Sequence, residues 1–127
     1  TEGQHALLAA LMPVLEARPE LLRPSVREFF VQSFDFQGVK ELKLKILEKL
    51  VDETNVQLVL RELQAYVSWQ SHPEFVALAV RSITQVALKI SSVADSCLHG
   101  LVKMLDSKCE ALACEAVVAL RALLQRR

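Results

Sequence analysis

The sequence predicts an all-α fold in which similar helix pairs stack into an α-solenoid. Three observations predict it: helix-start signals that recur at one spacing, apolar residues at helical periodicity between them, and a scarcity of turn residues. Glycine occurs 3 times and proline 4 times in 127 residues, whereas apolar residues make up 52%. Because all-β domains need many turn residues, this composition favours helices joined by short loops.

The strongest helix-start signals lie 36 residues apart. Ser71 is followed three residues later by Glu74, and Ser107 by Glu110, which is the pattern of a capping box. Asp35 lies a further 36 residues upstream and is a good N-cap residue type. These three positions predict the starts of three equivalent helices.

Two further N-caps are predicted between them, at Asn55 and Ser92, which lie 37 residues apart. Outer and inner caps therefore share one period. A shared period of this length indicates a repeat of two helices, as in a right-handed α-solenoid of HEAT/armadillo-like helix pairs.

The first 34 residues are less regular. His5 to Ala17 predicts a helix that Pro13 should kink or end. Pro19 and Pro24 then interrupt the connection that follows. The phenylalanine-rich stretch 29–36 fits a short helix or an extended segment equally well.

Five more helices are predicted from apolar residues spaced by three and four, near residues 37–51, 55–68, 73–90, 93–106 and from 109 onward. Their core faces, in chain order, are Val39, Leu42, Ile46, Leu47 and Leu50; Val56, Val59, Leu60, Leu63 and Val67; Val76, Ala79, Val80, Ile83, Ala87 and Ile90; Ala94, Cys97, Leu98, Leu101 and Leu105; and Ala113, Ala116, Val117, Leu120 and Leu124. The third of these helices carries a second apolar set, Phe75, Leu78 and Val86. We therefore expect it to be covered on two faces, as the inner helix of a stack.

The elements together predict one solenoid segment over residues 1–127. It consists of an irregular helical repeat over about 1–34, helix pairs over 35–70 and 71–106, and an unpaired helix over 107–127. The chain opens on Thr1 without an initiator methionine or a signal-peptide pattern, so we expect a piece of a longer protein.

Charge and hydropathy argue against direct binding to nucleic acid or an anionic membrane and against a membrane-spanning segment. Lys plus Arg and Asp plus Glu both number 15, so the chain lacks the net positive field that binds nucleic acid or an anionic membrane directly. No apolar run approaches the roughly 18 residues needed to span a bilayer. Three cysteines without a CxxC pair favour a reducing, cytosolic compartment.

The spacing of the cysteines and histidines argues against a metal site. Cys109 and Cys114 lie about 140° apart around a predicted helix, and Cys97 and His99 also face different ways, so neither pair suits one tetrahedral ion. We expect the cysteines to be buried as small apolar residues. The chain has no GxSxG, P-loop, GxGxxG or HExxH motif, so we predict no catalytic residue, no metal and no cofactor.

Two features are candidates for a partner surface. Lys40, Lys43, Lys45 and Lys49 lie on one predicted helix and form the only candidate patch for an anionic surface. Their alternative role is a solvated face of salt bridges at helical spacing. Trp69 falls between two helices, where it either anchors a partner or fills a gap between repeats.

Several segments resemble the trunk of beta-adaptins, the large beta subunits of heterotetrameric adaptor complexes. In order, they are RPELL at 18–22, FFV at 29–31, LKLKIL at 42–47, DETNV at 52–56, VLRELQAY at 59–66 and CLHGLV at 97–102. The LRELQAY and CLHGLV segments look most like the third class of adaptor complex, whereas RPELL and FFV look more like the first and second. The family often shows Ile-Gly-x-Cys-Ala where this chain has ITQVA at 83–87, and the fourth class stays open.

The resemblance implies a structural scaffold segment in vesicle-mediated intracellular protein transport. Its partners would be the other large, medium and small subunits, with indirect contact to cargo and coat. The protein would be cytoplasmic and peripheral on Golgi or endosomal membranes through the complex. The alternatives are another HEAT or armadillo scaffold, such as a transport receptor or a phosphatase scaffold, and a thiol or metal enzyme around Cys97 and His99.

Overall fold

The computed structural model describes residues 2–69 and 72–125, and within these ranges the chain is helical and contains no strand. The α-helices are α1 (Glu2–Ala17), α2 (Gln37–Leu50), α3 (Val56–Val67), α4 (Pro73–Lys89), α5 (Ala94–Met104) and α6 (Glu110–Gln125), with 3₁₀ helices at Pro19–Leu21, Arg23–Phe29 and Ser91–Val93. The all-α prediction is confirmed. The chain forms two compact units, Thr1–Thr54 and Asn55–Arg127, which are described separately.

In the first unit, α1 continues through Pro13 and ends at Ala17, as predicted, so of the two expected effects of Pro13, a kink or an end, the end does not occur. A proline inside a helix costs about 3 kcal/mol. Leu15, two residues further on, is fully buried, and burying such a side chain returns roughly 1.5–3 kcal/mol. Packing therefore offsets most of the local penalty.

The connection after α1 consists of two short 3₁₀ helices. Pro19 and Pro24 each lie in the first turn of one, where a missing amide leaves no helical hydrogen bond unmade. Phe29 ends the second 3₁₀ helix, and Phe30 is extended. The ambiguous stretch 29–36 is thus the end of a helix followed by a turn.

Helix α2 packs against α1 and carries the core of the first unit. Four residues of its predicted face are buried, and the fifth, Leu42, is half-buried. A Cβ atom added at Gly38 would lie 3.1 Å from Cδ2 of His5, so the glycine leaves the space that the histidine ring occupies. This absence of a side chain lets the first turns of α1 and α2 approach closely.

In the second unit, α4 packs against α3, α5 and α6. Phe75 and Val86 from its second apolar set are buried together with Val80 from its first, which confirms that α4 is covered on two faces. Pro73 is its first residue, as predicted. The hydroxyl of buried Thr84 donates to the Val80 carbonyl at 3.0 Å, which satisfies the one polar group of the ITQVA segment in this interior.

The helix starts confirm the two-helix period. The first helices of successive pairs begin at Gln37, Pro73 and Glu110, with spacings of 36 and 37 residues. The second helices begin at Val56 and Ala94, 38 residues apart. The described residues therefore repeat two helices per period along the sequence.

Two of the predicted N-caps, Asp35 and Asn55, lie in the first half of the chain, and neither side chain makes a capping hydrogen bond. Asp35 is not the N-cap of α2, because Phe36 occupies that position and the Asp35 carboxylate binds elsewhere. Asn55 is the N-cap residue of α3, as predicted, but its side chain makes no capping hydrogen bond.

The downstream caps also differ from prediction. Ser92 lies inside a 3₁₀ helix, and Val93 is the N-cap of α5. The Ser107 hydroxyl accepts a hydrogen bond from the backbone amide of Cys109 at 3.1 Å, just before α6 begins. A capping box would have paired this hydroxyl with the Glu110 amide. Ser71 lies outside the described residues.

The buried face of α6 agrees only in part with the predicted one, since Ala116 belongs to both. Its buried residues are Ala116, Ala119 and Leu123, whereas Val117 and Leu124 from the predicted face are exposed. Hydrophobic periodicity predicts the helix α6 correctly but does not show which of its apolar residues are covered by other helices.

Within residues 2–69 and 72–125, no single helix is long and apolar enough to cross a membrane. Pro73–Lys89 and Ser91–Met104 reach the required length and composition only as a pair, and that pair is bent by 118°.

Candidate functional site

Trp69 lies in the second unit, at the corner between α3 and α4. Its ring stacks on Phe75 with centroids 5.3 Å apart and meets Tyr66 at 5.0 Å, while Tyr66 and Phe75 approach to 5.4 Å. Tyr66 and Phe75 are buried and Trp69 is half-buried. Aromatic pairs at these separations contribute about 0.5–1.5 kcal/mol beyond their buried area. The geometry favours Trp69 as a filler between α3 and α4, with its side chain left partly accessible.

The four lysines of α2 do not form one exposed patch. Lys40 and Lys43 are buried, which corrects the expectation that all four lie on one solvated or anion-binding surface. Lys45 is exposed, and Lys49 is half-buried with its Nζ 3.6 Å from Oε1 of Glu16 on α1. Only Lys45 and Lys49 therefore remain as accessible members of the candidate surface.

A buried ion pair joins Lys43 to the turn before α2. The Lys43 Nζ lies 2.7 Å from Oδ2 of Asp35, and both side chains are almost fully buried. The same carboxylate oxygen accepts the Gln32 amide hydrogen at 2.9 Å, and Lys43 also donates to the Phe30 carbonyl at 3.4 Å. This set of bonds fixes the turn to the helix.

The fixed turn displays two aromatic side chains that sequence reasoning did not single out. Phe34 is 82% exposed and Phe36 is 65% exposed, on either side of buried Asp35. Phenylalanines in a hydrophobic run read as core residues. The only sequence sign of their exposure was the acidic residue between them.

The cysteines divide into one buried and two exposed side chains. Cys97 is buried, as predicted, and burial raises the pKa of its thiol to about 11. Cys109 and Cys114 are exposed, so the expectation that they are buried is wrong. Among residues 2–69 and 72–125, no three His, Cys, Asp or Glu side chains are grouped so that they could hold a metal ion.

A cavity of about 560 Å³ opens where α3 ends and where α4 and α6 begin. Its lining combines an apolar floor with a few polar groups: Val67, Pro73, Val76, Ser107, Lys108, Cys109 and Leu112. These residues come from α3, α4, α6 and the connection between α5 and α6, so no local sequence motif indicates the cavity. Among the described lining residues there is no paired acid and base that would do proton-transfer chemistry.

Arg81 and Glu115 join the outer surfaces of α4 and α6. The Arg81 guanidinium donates from Nη2 to Oε1 of Glu115 at 2.5 Å and from Nε to Oε2 at 3.2 Å. The Glu115 carboxylate raises the pKa of the Arg81 guanidinium through these bonds. A two-point pair of this kind fixes orientation as well as distance between the two helices.

The last two helices carry several exposed apolar side chains. Val102 and Leu105 at the end of α5 and Val117, Val118 and Leu124 on α6 are all substantially exposed. Leu105 had been predicted in the core of α5. Lys103 on α5 and Arg121 on α6 are also exposed, so this surface combines apolar and charged side chains.

The chain is similar to known proteins of one family. Residues 2–127 match the family described as the Adaptin N terminal region. The chain is 35% identical over 125 residues to AP-3 complex subunit beta-2 of Mus musculus. The aligned segment covers 98% of the chain and 12% of that protein. It is 38% identical over 124 residues to AP-3 complex subunit beta-1 of Canis lupus familiaris, covering 98% of the chain and 11% of that protein.

A relative from another adaptor class is also similar. AP-1 complex subunit beta-1 of Mus musculus is 32% identical over 120 residues, which covers 94% of the chain and 13% of that protein. The chain thus spans between 11% and 13% of the length of these relatives. The resemblance to a beta-adaptin trunk is confirmed, with higher identity to the two third-class subunits than to the first-class one.

Proposed function

The chain belongs to the adaptin N-terminal region family, and on this premise we propose that it is a structural scaffold segment of an adaptor-complex beta subunit. The observation that carries the proposal is the family match over residues 2–127, which spans the whole described helical series. The proposed role is to bind the other large, medium and small subunits of the complex.

The mechanism we propose is the presentation of shape. In the second unit, α4 is covered on two faces, and the Arg81–Glu115 pair joins it to α6. Both features support a fixed arrangement of these helices. In the first unit, the Asp35–Lys43 pair does the same for the turn before α2. Rigid helices present a fixed surface, so partner binding loses little conformational entropy.

The proposed setting is vesicle-mediated intracellular transport. The scaffold would be cytoplasmic and would associate with Golgi or endosomal membranes through its complex, with indirect contact to cargo and coat. The balance of 15 basic and 15 acidic residues supports attachment through partners over direct attraction to anionic lipid. The candidate contacts are Lys45 and Lys49 on the first unit and, separately, the accessible side of Trp69 on the second.

Affinity purification of the tagged full-length protein that carries this chain tests the proposal. We expect quantitative mass spectrometry to recover a second large, a medium and a small adaptor subunit in near-equal amounts. A Leu47→Asp variant, which places a charge at a fully buried position, should lose them, whereas the exposed control Gln57→Ala, which lies outside the candidate contacts, should retain the complex. Recovery of nuclear-transport cargo or phosphatase subunits in their place would overturn the proposal in favour of another helical scaffold.

A further inference from the structure

We draw no further inference here: the strongest candidate, the exposed apolar face of α6 formed by Val117, Val118 and Leu124, is an unpartnered helix face, and nothing in the structure shows what covers it.

Discussion

Val80 and Val117 occupy equivalent positions in successive repeats, yet their surroundings differ. Each is the eighth residue of its helix, α4 or α6, so helix position and residue type are the same. Val80 is 0% exposed, whereas Val117 is 46% exposed. Substituting each valine by alanine therefore measures how much packing against neighbouring side chains contributes to the free energy of unfolding when local structure is the same.

The expected costs follow from the carbon groups removed from the interior. Val80→Ala removes two buried carbons at roughly 0.8 kcal/mol each, and the cavity left behind adds about 0.5–1 kcal/mol. Alanine returns about 0.5 kcal/mol through helix propensity in both variants. We expect Val80→Ala to lower the free energy of unfolding by about 2 kcal/mol and Val117→Ala by under about 0.5 kcal/mol.

Urea denaturation provides the assay. Trp69 is the single tryptophan of the chain and lies at the α3–α4 corner, so its fluorescence reports on the second unit, and circular dichroism reports on total helix content. Unchanged denaturant slopes would show that the unfolded states are comparable. Equal destabilisation by the two substitutions would refute the reasoning, because it would mean that Val117 is packed as closely as Val80.

Three further predictions concern single side chains. Lys43→Ala should destabilise the protein by about 3–5 kcal/mol because it leaves the Asp35 carboxylate buried and unpaired, whereas Lys45→Ala should cost under about 0.5 kcal/mol in the same urea titration. Trp69→Leu should lower the unfolding free energy by about 1–2 kcal/mol through lost stacking, and a wild-type midpoint by circular dichroism would contradict the filler role. Cys97 should resist a disulfide reagent at pH 8 in the native state, since burial holds its pKa near about 11. The other two cysteines should react at once, and modification of all three before unfolding would disprove the burial.

The parts of the fold that local sequence determines were predictable. Helix positions and the 36-residue period depend on apolar spacing and on residues such as Pro73, whose fixed φ angle suits a first helical turn wherever it occurs. The structure places the five later helices within a few residues of their expected bounds. Short-range preferences were sufficient for these features.

Features that depend on distant partners were not predictable. Asp35 is a good N-cap residue type, but an ammonium group eight residues further on in the sequence binds its carboxylate instead. A buried partner for Lys43 has no periodic sign, so helical spacing alone did not separate Lys43 from exposed Lys45. For the candidate surface, residue type indicated which side chains can bind a partner, and only tertiary packing determined which are accessible.

The same distinction explains the aromatic residues. Trp69 was singled out from its place in a loop, and its contacts with Phe75 and Tyr66 support a filler role. Phe34 and Phe36 belong to the stretch whose conformation the sequence left open, and both are exposed on the turn that Asp35 fixes.

The most direct test of the scaffold role is the subunit composition of the complex isolated with the tagged full-length protein. The scaffold role predicts near-stoichiometric recovery of one further large, one medium and one small adaptor subunit, retained in Gln57→Ala and lost in Leu47→Asp. Isolation of the folded, full-length protein without any adaptor subunit would contradict it.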